Sequence, residues 1–174
     1  MILKKFIYKK VKSTNELAFY KIKKGFNNGI IMSNEQTNGK GQYGKKWISK
    51  KGNLFLSIFY KIKKNSNLSK LTKKNTNLIK KILSQYVKKK IKLKKPNDIL
   101  VNNKKICGIL HETIYFKNYK YLILGIGINI SSSPKILNYQ TTFINKIIKK
   151  KIKKEKIFEK IKNEFEIYLN DYCW

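Results

Sequence analysis

Apolar positions in this chain follow two different periods, and each period predicts its own kind of element. Between Leu68 and Val87, the residues Leu68, Leu71, Leu78, Ile79, Ile82, Leu83 and Tyr86 fall at roughly helical spacing, with no proline to interrupt them. One longer helix packed on a sheet is predicted there. A second stripe, made of Ile157, Phe158, Ile161, Phe165, Tyr168 and Leu169, places a terminal helix over Lys154 to Tyr172. Gly29 to Ser33 and Asn53 to Ile62 are rich in β-branched and aromatic residues and read as strands separated by a glycine-punctuated loop. Ile91 to Leu93, then Ile99 to Val101 and Ile106 to Leu110, read as short strands, the last two joined across Asn102-Asn103 in a hairpin because Asn tolerates positive φ. Tyr121 to Ile130 is a further apolar strand. Ser13-Thr14-Asn15-Glu16 has the form of a capping box that opens a short helix through about Tyr20, closed by Gly25. The run Lys146 to Lys156 reads as a solvated helix start or loop. These elements predict an α+β fold, a mixed β-sheet covered by helices, in a single domain over residues 1 to 174 with no internal repeat or linker.

Composition changes this picture less than the charge suggests. The formal net charge is +32, a value that ordinarily points to a nucleic-acid partner through counterion release. All 41 basic residues are Lys, however, and Ala18 is the only alanine, while Ile, Asn, Tyr and Phe are plentiful. That set is what A/T-rich codons encode, so base-composition drift in a reduced genome accounts for most of the charge. A dedicated nucleic-acid surface would also call on Arg, whose planar fork grips phosphate with two bonds. No specific DNA binding is expected. A hydrophobic fraction of 41% supplies a core and excludes a disordered polycation. Cys107 and Cys173 lie far apart without metal-type spacing, so neither a disulfide framework nor a zinc site is indicated. No apolar run reaches the ~20 residues that span a bilayer, and a cytoplasmic location is expected.

Three stretches carry candidate chemistry. In Gln36-Thr37-Asn38-Gly39-Lys40-Gly41-Gln42-Tyr43-Gly44-Lys45-Lys46-Trp47, three glycines in six residues free backbone N–H groups to wrap an anion, and lysines supply counter-charge. The spacing formally matches the dinucleotide fingerprint, but the segment after Gly44 reads as strand rather than helix, and no acid stands about 20 residues on to hold a ribose. In Lys94-Lys95-Pro96-Asn97-Asp98, an acid persists amid lysine, and a fixed pair of Asp98 with Lys94 near a reacting centre is expected; the bland alternative is a turn after proline. Gly125-Ile126-Gly127-Ile128-Asn129 ends a strand with small residues that admit a ligand or another backbone. His111, the lone histidine, comes after a strand and reads as structural.

In this order the stretches resemble the biotin-protein ligase (biotin-[acetyl-CoA-carboxylase] ligase) family. The matching pieces are Ser13-Thr14-Asn15, Gln36-Thr37 leading into Gly39-x-Gly41-x-x-Gly44-x-x-Trp47, Pro96-Asn97-Asp98, Lys105-x-x-Gly108-Ile109-Leu110-x-Glu112 and Gly125-x-Gly127-x-Asn129. The resemblance implies a fold similar to class II aminoacyl-tRNA synthetases. It also implies a two-step reaction: biotin's carboxylate attacks the α-phosphate of ATP, giving biotinoyl-5'-AMP and pyrophosphate, and a lysine of a biotin carboxyl carrier protein then takes the acyl group. ATP and Mg²⁺ are implied, with the Mg²⁺ brought by ATP rather than by a protein metal cluster. By the same resemblance Ser13, Thr14, Asn15, Gln36, Gly39, Lys40, Gly41, Gln42 and Lys94 bind biotin. Lys40, Gly41, Gln42, Lys45, Trp47, Asn97, Lys105 and Asn129 bind the nucleotide, and Lys94 and Asp98 are the catalytic pair.

The sequence departs from the family pattern in places. The family's loop usually has arginine where Lys40 and Gln42 stand, and tryptophan where Lys95 stands; losing the bidentate fork predicts looser retention of the adenylate. No N-terminal DNA-binding domain and no C-terminal β-barrel domain are expected. The alternatives are a lipoate or octanoate transferase of the same fold, and a basic nucleic-acid-binding module derived from a degenerate ligase. A homodimer is possible on family grounds, although strong positive charge opposes it, and an acidic carrier would be steered toward the chain.

Overall fold

The computed structural model of the protein describes residues 1–172; Cys173, read above as giving neither a disulfide framework nor a zinc site with Cys107, lies outside them. Seven strands form one sheet in the order β1-β2-β3-β7-β6-β5-β4: β1 (Lys5–Val11), β2 (Asn28–Gln36), β3 (Leu54–Ile62), β4 (Ile91–Lys94), β5 (Asp98–Val101), β6 (Lys104–Phe116) and β7 (Tyr119–Ile128). β1 and β2 are parallel and the other pairs are antiparallel, so the sheet is mixed, as expected. One side carries α2 (Leu68–Ser84) and α4 (Lys154–Tyr172), whose Ile79, Ile82, Leu83, Ile157, Phe158, Ile161, Phe165 and Leu169 close the larger core. The other side carries α1 (Thr14–Lys23), which buries Ala18 and Ile22 against Ile31, Phe59, Tyr121 and Ile123. Burying one stripe of each helix on an apolar sheet face gives a three-layer arrangement, with the sheet between α1 and the pair α2 and α4.

α4 spans the residues its stripe predicted, α2 stops three short of Val87, and α1 runs three past Tyr20. The Asn102-Asn103 hairpin forms with φ of 49° and 60°, the left-handed pair that a tight two-residue turn requires. β1 has no counterpart in the sequence reading, because its Lys5, Lys9 and Lys10 mask a strand in which only Phe6, Tyr8 and Val11 are half-buried. Lysines on an edge strand also discourage pairing with another chain. α3 (Ile144–Ile148) overlaps the start of the run Lys146 to Lys156, which was read as a solvated helix start or loop.

Two local expectations are corrected. Ser13 sits at the N-cap of α1, but its side chain makes no cap hydrogen bond, and Glu16 pairs with Lys40 (2.9 Å) and Lys12 (3.8 Å) rather than turning back to Ser13. The capping box is replaced by Gln36, which reaches from the end of β2 so that its Oε1 accepts from Thr14 N at 2.8 Å. The segment after Gly44, read as strand, is irregular over residues 45 to 50 apart from a single bridge between Lys40 and Lys46.

Candidate functional site

The glycine-rich loop folds back on itself over the face of the sheet that carries α1. Gly41 N donates to Lys45 O at 2.7 Å, Trp47 N donates to Gly39 O at 2.8 Å, and the tip passes through positive φ at Tyr43 (53°) and Gly44 (72°). Its last residue, Trp47, lies on a floor made for it. Gly108 and Gly127 are register partners on β6 and β7, and a Cβ on either would collide with the indole. Gly125, two residues before Gly127 and so on the same face, leaves equivalent room for the amide of Asn15. Thus the three glycines serve close approach, and what approaches them is the protein's own Trp47 and Asn15.

Loop and sheet enclose a cavity of about 340 Å³. The start of α1 provides Ser13, Thr14 and Asn15; β2 provides Gln36; the loop provides Lys40, Gly41, Gln42, Lys45 and Trp47; β4 and the turn to β5 provide Lys94, Asn97 and Asp98; β6 provides Lys105 and Gly108. Fifteen residues named from the sequence, spread from position 13 to 129, are therefore almost all brought to one place. Two are not. Gly39 faces an open groove on the far side of the loop, with His111 and Glu112. Asn129 is not among the lining residues; its Nδ2 donates to Thr142 O at 3.2 Å and its backbone joins β6 to α3.

Electrostatics separate the cavity into a polar end and a cationic end. At the polar end Thr14 and Asn15 meet Ser57 of β3, and Gln36 joins the group through Thr14; Ser57 is wholly buried and was missed by sequence reading because a lone serine in an apolar strand carries no motif. Gln36 Nε2 also donates to Ser49 Oγ at 3.1 Å, tying the loop's far limb to the same group. At the cationic end, the expected Lys94–Asp98 pair is corrected. The two are cross-strand neighbours, but Asp98 pairs with Lys105 at 2.7 Å. Lys105, with only 14% of its side chain exposed, also lies 5.4 Å from the Trp47 ring and 5.2 Å from that of Tyr139. Lys94 is left without an ion pair among the described residues, its charge free for an incoming anion. Tyr139 and Gln140, which line this end, were not singled out in the sequence; they arrive because Lys105 N donates to Gln140 O at 2.9 Å and Thr142 N to Lys105 O at 3.0 Å. His111 stands within β6 rather than after a strand, and burial pushes it down to about 4.

Residues 7–129 match the model of the biotin/lipoate A/B protein ligase family, well over half of the chain. The chain belongs to that family. Among relatives of this ligase family, the bifunctional ligase/repressor BirA of Bacillus subtilis (strain 168) is 31% identical over 129 residues. The match takes in 71% of this chain and 38% of the relative, so the chain spans about two fifths of that protein's length. The biotin protein ligase of Aquifex aeolicus, solved with biotin and ATP, superposes with a TM-score of 0.81 at 27% identity, covering 98% of this chain and 72% of the other. The biotin protein ligase of Leishmania major, in complex with biotinyl-5-AMP, shares the fold with a TM-score of 0.83 at 24% identity, over 98% of this chain and 76% of that one. The α+β architecture expected from the sequence is therefore the family's own.

Proposed function

We propose that the chain is an ATP-dependent biotin–protein ligase that forms biotinoyl-5'-AMP and transfers the biotinoyl group to a lysine of a biotin carboxyl carrier protein. The observation that carries this reading is the division of one cavity into a hydrogen-bonding end and a cationic end. Thr14, Asn15 and Gln36 suit a ureido ring, which both donates and accepts. A dithiolane ring, as in lipoate, offers those groups no such partner, which favours biotin over the lipoate branch of the family.

The other end suits the acyl phosphate. Lys94 supplies a point charge where negative charge develops on the oxygens of the biotin carboxylate and the α-phosphate. Lys105 is held in place by Asp98 and by the flanking rings of Trp47 and Tyr139, so it meets phosphate already oriented. The planar Trp47 on its glycine floor gives an adenine a surface to pack against, and its Nε1 is buried without a partner among the described residues. Mg²⁺ would arrive with ATP, bridging its phosphate oxygens. Lys40, Gly41, Gln42 and Lys45 would close over the adenylate and keep water from it. In the second half-reaction Asp98, beside Lys105, would orient the carrier's amine for attack on the acyl carbon.

The test is to mix the protein with biotin, Mg²⁺-ATP and a biotin carrier domain and to probe the carrier for biotin. Biotinylation is expected from the wild type and lost in Lys94→Ala. An inactive wild type, or a fully active Lys94→Ala, would overturn the reading.

A further inference from the structure

The cavity occupies one end of the sheet, where β2 and β7 finish and α1 begins. At the opposite end β2 and β7 start, β3 finishes and α1 closes at Lys23, and Tyr121 Oη donates to Asn27 Oδ1 at 3.4 Å to join β7 to the turn after α1. Tyr119 stands here at the start of β7, about 26 Å along the strand from Gly127 on the cavity floor. It points to the α1 side, as Tyr121 does two residues on.

Aromatic rings crowd this end on the α1 side, each beside a lysine. Lys61 Nζ lies 3.4 Å from the centroid of the Tyr119 ring, Lys23 Nζ 4.4 Å from that of Phe19 and Lys24 Nζ 5.5 Å from that of Tyr20. On the β1 flank Lys4 and Lys21 lie 4.5 Å and 4.4 Å from Phe26 and Phe6, whose own rings meet edge-on at 5.2 Å. Phe19, Tyr20 and Tyr119 are 38%, 51% and 52% exposed, so a lysine on one side of each ring leaves room for another plane. The belt they form crosses β1, β2, β3, β7 and β6, about 19 Å in all. No Asp or Glu occurs from Leu17 to Asn34 or from Thr113 to Lys154, and none of these five lysines is in an ion pair among the described residues. Codon drift sets how many lysines the chain has; it does not clear one end of acids or leave three rings open beside the cations.

We propose that this belt binds single-stranded nucleic acid without regard to sequence, a function separate from the ligase reading and independent of it. Phosphates exchange their counterions for the lysines, and bases stack on the open faces of Phe19, Tyr20 and Tyr119. Lysine suffices for this, because the arginine fork is needed to read base edges rather than to meet backbone charge. A duplex hides its base faces and gains only the charge term. An acidic protein likewise leaves the rings unused, and an anionic membrane calls for apolar side chains that project, whereas these rings lie against lysines and against one another.

Fluorescence anisotropy of the full chain with a labelled oligothymidylate of about 12 nucleotides tests this, beside a duplex of the same length and phosphatidylglycerol vesicles. The single strand should bind about tenfold more tightly than the duplex at about 0.1 M salt. Tyr20→Ala with Tyr119→Ala should weaken it about tenfold or more without changing the salt slope, since stacking is lost and charge is not. Lys23→Gln, Lys24→Gln and Lys61→Gln together should weaken binding and lower the slope by about two. The same exchange at Lys70, Lys73 and Lys81 of α2, on the other side of the sheet, should cost less than about threefold. Photocrosslinking of the wild type supplies a second measurement should a variant fail to fold, with adducts expected on residues 4–8, 19–26 and 119–121. Absent oligonucleotide binding, duplex bound as tightly as single strand, equal losses from the belt and α2 lysines, or adducts confined to the cavity would each overturn the proposal. So would a ring variant that releases vesicles but keeps the oligonucleotide. Tyr20→Ala with Tyr119→Ala should biotinylate the carrier as the wild type does, so this proposal and the ligase reading fail separately.

Discussion

A methyl group on Gly127 would enter the Trp47 indole, and one on Gly125 would enter the Asn15 amide. Gly127→Ala should therefore lift Trp47 off the sheet, weaken ATP binding about tenfold and cost about 1–3 kcal/mol of stability through overpacking. Nucleotide titration and urea unfolding would measure the two effects. His111 makes a prediction of a different kind. Burial holds it at about 4 against an ordinary 6.5, and neither ring nitrogen has a partner among the described residues. Its folded value lies below its unfolded one, so the unfolded chain binds the proton first. Stability is complete above about pH 6.5 and falls as pH drops towards 4, by about 3 kcal/mol at most. Replacing His111 with Leu should flatten that part of the slope in unfolding measured between pH 7 and 4.5. Motif residues were legible one by one, because Lys94, Asp98 and the glycines belong to chemistry-bearing patterns. Ser57 and Tyr139 were not, since each gains its role from a neighbour distant in sequence.

At the scale of elements, the loop from Gly39 to Trp47 is held, apart from the packing of Trp47 itself, by few contacts: three backbone bonds, two of which make the Lys40–Lys46 bridge, and the ion pair of Lys40 with Glu16. It also carries Lys45 and Lys46 at its surface, where trypsin can reach them. Biotin with ATP should slow cleavage there several-fold relative to the free protein, while cleavage elsewhere stays unchanged; mass spectrometry of the fragments locates the protected site. Helix α1 shows how an element can be read correctly for an incomplete reason. Its start was placed by the capping pattern at Ser13, whereas Gln36 of β2 binds the first free N–H. The cap is consequently tertiary, and it ties the helix start to the strand that opens the loop. Strand β1 was illegible because lysines flank its short run Phe6-Ile7-Tyr8, and as an edge strand it is at most half-buried.

For the whole molecule, the nine acids are unevenly spread. Five of them, Glu155, Glu159, Glu164, Glu166 and Asp171, lie on α4, on the side of the sheet away from α1 and the loop. Of the other four, Glu16 and Asp98 are spent on Lys40 and Lys105, and Glu112 holds Asn15. Lys45, Lys46, Lys94 and Lys95 therefore ring the cavity without ion pairs among the described residues. An acidic carrier should associate quickly at low salt. Its second-order rate constant for biotinylation should fall steeply between about 0.01 and 0.15 M ionic strength, with kcat little changed.

The sequence by itself determined the fold class, most of the helices and strands, and the residue types of the site, because hydrophobic period and turn chemistry are local properties. Only the tertiary structure decided who partners whom. Asp98 was free, on sequence grounds, to pair with either Lys94 or Lys105, and the β5–β6 register with the flanking rings selects Lys105. Likewise the glycines announced a close approach, but it is the stacking of loop and helix on one sheet face that makes Trp47 and Asn15 the groups that approach. Hydrogen-bond direction belongs to the same class. It depends on which buried groups face each other, and no linear pattern encodes that.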